Sequence, residues 1–296
     1  MDRRGVAFPK DVFLVGVFPS VRSRYPHAPR MTPTTAILLS LLVPGSAHAM
    51  LGKPMRALAA FAVTVGMFLV GYLILEDRLM QVRLFQPFDA IAWLIRWVPL
   101  NLLPEAPNLG CTIVASLMHE LPDAAGRAEA MRMFRLARPM EHFGFWLTGS
   151  SGLLACMFAA DAHGLALGQR LREHNRAFIA GVSWFLPGSG HYLAGQKGKG
   201  LLMGGAVILV FVLGLVFSAG AGVDRGHHDA YWICQSFFGG GTLASALGLG
   251  PLEIPNPIPV RYSLGYTLTA VAGLMNIVVI IDAYSVVDQS EGVATA

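Results

Sequence analysis

His48 and His191 each stand four residues after a proline, in Pro44-Gly45-Ser46-Ala47-His48 and Pro187-Gly188-Ser189-Gly190-His191. Each is followed four residues later by a glycine, Gly52 and Gly195. Asp161 and Asp282 are the matching carboxylates near the far end of each copy. Imidazole and carboxylate together can relay protons, and a histidine at membrane depth is costly unless it faces protein or water. The same groups have a plainer use. A Pro-Gly break frees backbone carbonyls, and a histidine ring can satisfy them. The aspartates can pair with the basic flank, for example with Lys197 or Lys199, or join a relay with His48 or His191. Asn276 is a further polar residue inside an apolar run.

Asp224, His227, His228 and Asp229 form a second polar cluster, and His/Asp groups can bind zinc. Adjacent histidines beside a glycine in a loop are more often solvated, and the other copy has no counterpart. No metal and no cofactor is expected. The chain has no Walker loop, no His-Glu-x-x-His, and no Gly-x-Ser-x-Gly in a strand–turn–helix setting. Gly149-Ser150-Ser151-Gly152 reads as helix packing. No residue is assigned as catalytic, and the balance is against an enzyme.

These residues are positioned by a module that occurs twice. Gly144, Leu147, Thr148, Gly152, Leu153, Asp161 and Ala162 return as Gly265, Leu268, Thr269, Gly273, Leu274, Asp282 and Ala283. The copies are offset by 143 residues at the proline (44 to 187) and by 121 at the aspartate (161 to 282), so copy one carries 22 more. Gly110-Cys111-Thr112-Ile113-Val114-Ala115-Ser116 resembles Gly239-Gly240-Gly241-Thr242-Leu243-Ala244-Ser245 and suggests that part of the intervening loop is shared.

The modules belong in a membrane. The 296 residues are 54% hydrophobic and 14% charged, against about 25% charged in soluble domains. Ala57–Leu75, Phe143–Ala160, Leu201–Val223 and Ser263–Ile281 are free of charge, and each is near the roughly 20 residues that cross a bilayer. The 33 glycines suit close helix approach in lipid. Thr34–Val43 followed by Ala47-His48-Ala49 imitates a secretory signal peptide, but the same design recurs in mid-chain at Phe178–His191. A retained element is therefore expected: a kinked helix, or a re-entrant hairpin. Basic residues flank it on both sides in each copy, which favours the hairpin. Two crossings per copy then make the repeats parallel, with both termini in the cytoplasm.

The expected fold is an all-α integral membrane protein of two tandem repeats. Each repeat holds a short broken or re-entrant Pro-Gly element and two transmembrane helices, with interfacial helices in the loops. The divisions are a basic tail 1–33, repeat one 34–167 with a long loop 76–142, a basic linker 168–176, repeat two 177–288 and a tail 289–296. Phe88–Leu103, with Trp93, Arg96 and Trp97, reads as an interfacial helix or one packed on other loops. Asp123–Arg138 is charged and helical in period, and Pro251–Pro259 is extended. A disulfide between Cys111 and Cys234 is conceivable, whereas Cys156 reads as a small apolar filler within a span.

The run Pro187 to Gly200 resembles the two-transmembrane-helix (TM-two) domain, in which a Gly-rich turn with a nearby His and an aromatic precedes a long apolar helix. Tyr262–Tyr284, with Asn276 and Asp282-Ala283-Tyr284, is similar to the close of related bacterial multi-pass families of unknown function. The resemblance covers 177–288 best and 36–163 more weakly. There Ala47 stands for Gly190, Ala49 for Tyr192 and His163 for Tyr284, and Pro54 breaks the basic pair. It implies a fold and no chemistry.

The functional expectation is a non-enzymatic scaffold or accessory subunit of the cell membrane. The alternative is a small transporter or channel with a site at the two Pro-Gly-Ser-x-His elements. The lipid bilayer is the expected partner, with other membrane proteins as candidates. Nucleic acid is excluded, since the basic residues form no aromatic-interleaved patch.

Overall fold

The computed structural model describes residues 31–76, 78–81, 102–118, 126, 140–168, 176–249 and 258–294, with backbone alone for 81 and 287–294. Copy one holds α1 (Pro33–Leu42), α2 (Ser46–Met50), α3 (Pro54–Leu75), α4 (Arg78–Gln81), α5 (Leu109–Met118) and α6 (Glu141–Ala166). Copy two holds α7 (Arg176–Phe185), α8 (Ser189–Leu193), α9 (Lys197–Phe217), α10 (Asp229–Gln235), α11 (Gly239–Gly248) and α12 (Tyr262–Ala294). No strand occurs among the described residues.

Four of these helices are long and apolar enough to cross a membrane: α3, α6, α9 and the Tyr262–Val286 part of α12. They coincide with the four charge-free runs, except that α9 stops at Phe217 rather than at Val223. Ala219 and Gly220 both take positive φ there, and the Gly220 amide returns to the Leu215 carbonyl at 2.8 Å. That is a Schellman-type stop, which a hydropathy run cannot register.

Within each copy the two spans pack antiparallel at glycines. A Cβ on Gly71 would lie 2.8 Å from the Gly144 carbonyl oxygen. One on Gly214 would lie 2.8 Å from that of Gly265. Thr148 and Thr269 complete the two contacts. Close approach of backbones at small residues is how helices associate in lipid, where no hydrophobic force holds them. The second repeated glycine serves another contact. A side chain on Gly152 would overlap the Pro104 carbonyl, and one on Gly273 the Cys234 carbonyl. Residues 104–105 of a turn and 234–235 at the end of α10 thus lean on equivalent points of α6 and α12. Much of the sequence repeat is a repeated set of such contacts.

Short helices occupy the rest of each copy. α1, α5, α7 and α11 have 10 residues each, about 15 Å and half a bilayer core. A side chain on Gly110 would strike the Leu42 carbonyl at the end of α1, and one on Gly240 would strike that of Phe185 at the end of α7. α5 therefore begins where α1 ends, and α11 where α7 ends. From that junction α5 runs toward α4, where Ser116 Oγ lies 3.9 Å from Met80 Sδ. The matching glycines are 110 and 240, one residue off the pairing of Gly110 with Gly239 suggested by sequence.

The bundle has two distinct ends. Lys53, Arg56, Arg176, Lys197 and Lys199 open α3, α7 and α9 at one end, called here the basic end. The loops 102–108 and 218–228 lie toward the other, the loop end. The loop ends of the two copies meet at Arg225 and Glu105, and their basic ends meet where Asp161 and Ala177 line one groove. The repeats therefore run parallel. α6 is the shared element, touching α1 and α3 of its own copy and α7 and α11 of the other.

The expected interfacial helix at Phe88–Leu103, the helix at Asp123–Arg138, the extended Pro251–Pro259, the linker and the N-terminal tail lie wholly or largely outside the described residues. All three cysteines are free, and Cys156 is exposed on α6 rather than packed within the bundle.

Candidate functional site

The Pro-Gly elements begin as helices that proline ends. Val43 is extended, as the residue before a proline tends to be. Gly45 and Gly188 then take φ of 87° and 81°, a left-handed turn that favours glycine. A side chain here would also collide with the backbone of Ala57 or Gly200. α2 and α8 follow for five residues each, and Gly52 and Gly195, two residues past their ends, again take positive φ. The Lys53 and Gln196 amides close both turns on the His48 and His191 carbonyls at 2.8 Å. Each histidine is thereby turned back toward the basic end.

Both imidazoles are fully buried. His48 Nε2 donates to Asp161 Oδ2 at 3.0 Å, and His191 Nε2 donates to Asp282 Oδ2 at 2.5 Å. Each aspartate also meets a cation from the first turn of the next span. Arg56 Nη1 lies 2.8 Å from Asp161 Oδ2, and Lys199 Nζ 2.5 Å from Asp282 Oδ2. The structure thus joins the two readings of the aspartates: the basic flank and the histidine hold the same carboxylate. The remaining nitrogen, Nδ1, has no partner in either ring among the described residues. Among the described residues no bond links His48 with His191.

Asn276 does a different job. Its Nδ2 lies 3.1 Å from the Ser183 carbonyl, 3.2 Å from that of Trp184 and 2.8 Å from that of Phe237. It satisfies carbonyls freed where α7 ends and α10 gives way to α11. The role proposed from sequence for the histidines, donating to freed carbonyls, falls to this asparagine instead. The matching position of copy one is Ala155, so only the fuller copy has the cap.

The Ala47-for-Gly190 exchange has a visible consequence. In copy two Ser183 Oγ accepts the Gly190 amide at 3.1 Å. In copy one the matching Ser40 is fully buried and its hydroxyl has no partner among the described residues. The Ala47 methyl instead packs with Ala36 and Ala162.

The residues that sequence reasoning missed lie at the loop end. Glu105 and Arg225 are both fully buried and paired through 2.6 and 3.1 Å bonds. Glu105 also accepts from Thr148 Oγ1 at 2.9 Å. Arg225 lies over Trp232 and Phe145, 4.5 and 5.0 Å from the ring centroids. Its Nε reaches Asp229 at 3.1 Å. Its carboxylate partners hold the guanidinium charged and push its pKa up, against the opposing pull of burial. In copy two the position of Glu105 is held by Gln235, which donates to Thr269 at 2.7 Å. A second buried pair, Arg78 with Glu141 at 2.8 Å, fixes α4 to the start of α6.

The Asp224–Asp229 segment does not converge on one point. Asp224 accepts from His227 Nδ1 and from the Gly226 amide, while His228 Nε2 turns to the Tyr262 hydroxyl at 3.2 Å. The His228 ring stacks on Tyr266 at 4.1 Å. Burial works to raise the Asp224 pKa, and the His227 bond and charge bring it below the ordinary value. Burial lowers the His228 pKa. No group of three His, Cys, Asp or Glu side chains placed to hold a metal occurs among the described residues.

A model of a family of unknown function, DUF6677, matches residues 35–174 and again 178–292. The chain belongs to this family. The two matched segments fall on the two copies, α1 to α6 and α7 to α12. No curated protein and no solved structure matches the chain. DUF6677 membership thus supports a duplicated module and names no reaction. What the described residues offer is two His–Asp–cation groups with buried imidazoles, an asparagine cap and a cross-repeat ion pair.

Proposed function

We propose that the chain is a non-enzymatic multi-pass protein of the bacterial cell membrane that serves as a scaffold or accessory subunit. Its two Pro-Gly-Ser-x-His elements are re-entrant hairpins, and both termini face the cytoplasm. The observation that carries this reading is the commitment of both histidines. Each is fully buried and bound to the aspartate of its own repeat, which a cation also holds. A transport site needs polar groups facing a shared wet path. The two imidazoles face protein and pin a hairpin to a span.

The hairpin geometry supports the topology. α7 starts where Ile179 packs on Ala283 and ends where Ser183 and Trp184 meet Asn276, seven residues deeper along α12. α8 then returns His191 to Asp282. The element enters and leaves at one level. The five described cations of the basic end point that end to the cytoplasm: at the other end the buried Arg78 and Arg225 are neutralised by Glu141 and Glu105, which leaves Arg261, over the Phe217 ring, as the exposed cation there among the described residues.

A second reading, a small transporter or channel, draws on the half-helix junctions at Leu42 and Phe185, since carriers often place sites at broken helices. The test is a mild-detergent pull-down of the tagged full chain from native membranes. A stoichiometric membrane partner supports the scaffold. A chain that purifies alone and carries a solute across proteoliposomes overturns it.

A further inference from the structure

A groove of about 640 Å³ runs between the repeats from the basic end inward. Its walls are α6 of copy one, through Leu154, Met157 and Phe158, and α7 of copy two, through Phe178, Gly181 and Phe185. Arg56 and Asp161 are the charged groups that line it, and they sit together at its mouth. Trp184, the remaining lining residue with a polar atom in its side chain, spends its indole N–H on the Ser236 carbonyl at 2.9 Å. From Asp161 to Leu154 the groove follows α6 for seven residues, about 10 Å of helix rise. It is charged at the membrane surface and apolar below it.

We propose that this groove binds one anionic phospholipid, with the phosphate on Arg56 and an acyl chain lying between α6 and α7. The inference adds a ligand site to the scaffold reading and holds equally under the transporter reading. It needs only that the four long helices span.

Three observations select this occupant. The first is charge. Arg56 spends Nη1 on Asp161, and its side chain is 35% exposed, with no other hydrogen bond among the described residues. Guanidinium carries five donors, so Nε and Nη2 remain for phosphate oxygens. Lys53 and Arg176, at the starts of α3 and α7, add positive charge to the same end of the bundle, and among the described residues Asp161 is the single carboxylate lining the groove. Basic pockets between membrane helices at the cytoplasmic surface are the setting in which anionic headgroups bind.

The second is shape. The volume is within the range of sites that enclose small ligands, and the lower wall offers no donor to a soluble anion. Phe178 and Phe185 on the rim are 54% and 45% exposed, so the groove opens sideways to the bilayer. The third is its absence from the other copy's surface. Lys199 and Asp282 repeat the ion pair, but Val278, which matches Met157, is 61% exposed, with no second wall over it among the described residues. Copy two's own α7 makes the groove, so the site belongs to the junction of the repeats.

The test uses the full chain in a neutral detergent, titrated with phosphatidylglycerol, phosphatidylcholine or glycerol phosphate. Bound lipid is counted by native mass spectrometry, and thermal stability is followed in parallel. Phosphatidylglycerol should be retained at one molecule per chain and raise the Tm. Phosphatidylcholine should bind about fivefold more weakly, as should phosphatidylglycerol to Arg56→Gln, the effect expected of one lost cation at the surface. Gly181→Leu fills the groove and leaves the ion pair intact, since a Cβ there meets only Met157 Sδ at 3.4 Å. It should lose both lipids and keep the fold, and it decides the matter if Arg56→Gln does not fold. Equal retention of the two lipids, undiminished binding by Gly181→Leu, or a glycerol phosphate shift matching that of the lipid overturns the proposal.

Discussion

Replacing Glu105 by glutamine should destabilise the protein by about 3 kcal/mol, and replacing Arg225 by methionine by about 5 kcal/mol. The two costs differ because the residues left behind differ. After Glu105→Gln, the buried Arg225 still has Asp229 at 3.1 Å, so its charge keeps a partner. After Arg225→Met, the carboxylate of Glu105 keeps only the Thr148 hydroxyl at 2.9 Å, and an unpaired charge stays in the bundle. The methionine also forfeits the stacking of the guanidinium on Trp232 and Phe145, about 1 kcal/mol more. The double variant removes both charges and leaves groups of similar volume. It should cost less than Arg225→Met alone, which corresponds to a coupling energy above about 3 kcal/mol. Reversible unfolding in mixed micelles, by increasing the fraction of an ionic detergent and following helical circular dichroism, measures all four corners of the cycle. Single variants below about 1 kcal/mol, or costs that simply add, would show that this pair does not lock the repeats.

Asp282→Ala should lower the yield of folded protein in membranes, because it strands the buried His191 Nε2, a loss of about 1–3 kcal/mol. Asp282→Asn keeps an acceptor there and should do less harm, and equal yields for alanine and wild type would remove the structural role. Gly190→Ala places a methyl against Ser183 Oγ and should cost about 1–3 kcal/mol, with Ser183→Ala in the same chain recovering part of it, as copy one pairs alanine with a lone serine. Thermal unfolding of the three variants reads this directly, and full additivity contradicts it. His228 should titrate below its ordinary value of 6.5, because burial disfavours its charged form. A histidine whose folded pKa is lowered contributes stability that is complete above the unfolded value and is lost as pH falls through the folded one. Nitrogen-detected NMR of labelled protein gives the midpoint, and a value at or above 6.5 contradicts the packing described.

The spans were legible because charge-free length is a local property, and copies of one module confirm each other. The role of the repeated glycines and threonines was legible in kind, as close packing, but not in partner. Gly152 faces Pro104 and Gly273 faces Cys234 across loops whose lengths differ between copies. The His–Asp pairing was among the options the sequence offered, since both members recur. What hid it from certainty was separation: 113 residues in one copy and 91 in the other. Glu105 and Arg225 left no such trace. They are 120 residues apart, and the residue matching Glu105 is the neutral Gln235. The half-helices α5 and α11 were missed because 10 residues fall short of a span, and their meaning appears only where they abut α1 and α7.

The central claim is that each Pro-Gly element enters and leaves the membrane on one side, held there by its histidine and aspartate. Single cysteines at Leu167, Gly198 and Val260 in a cysteine-free chain test it most directly. Leu167 precedes the second element, Gly198 follows it where a side chain meets no neighbour, and Val260 is fully exposed beside the loop end of α12. A membrane-impermeant maleimide should reach Leu167→Cys and Gly198→Cys from the cytoplasmic face alone, and Val260→Cys from the opposite face alone. Labelling of Leu167→Cys and Gly198→Cys from opposite faces would mean that the element crosses, and the account would be wrong.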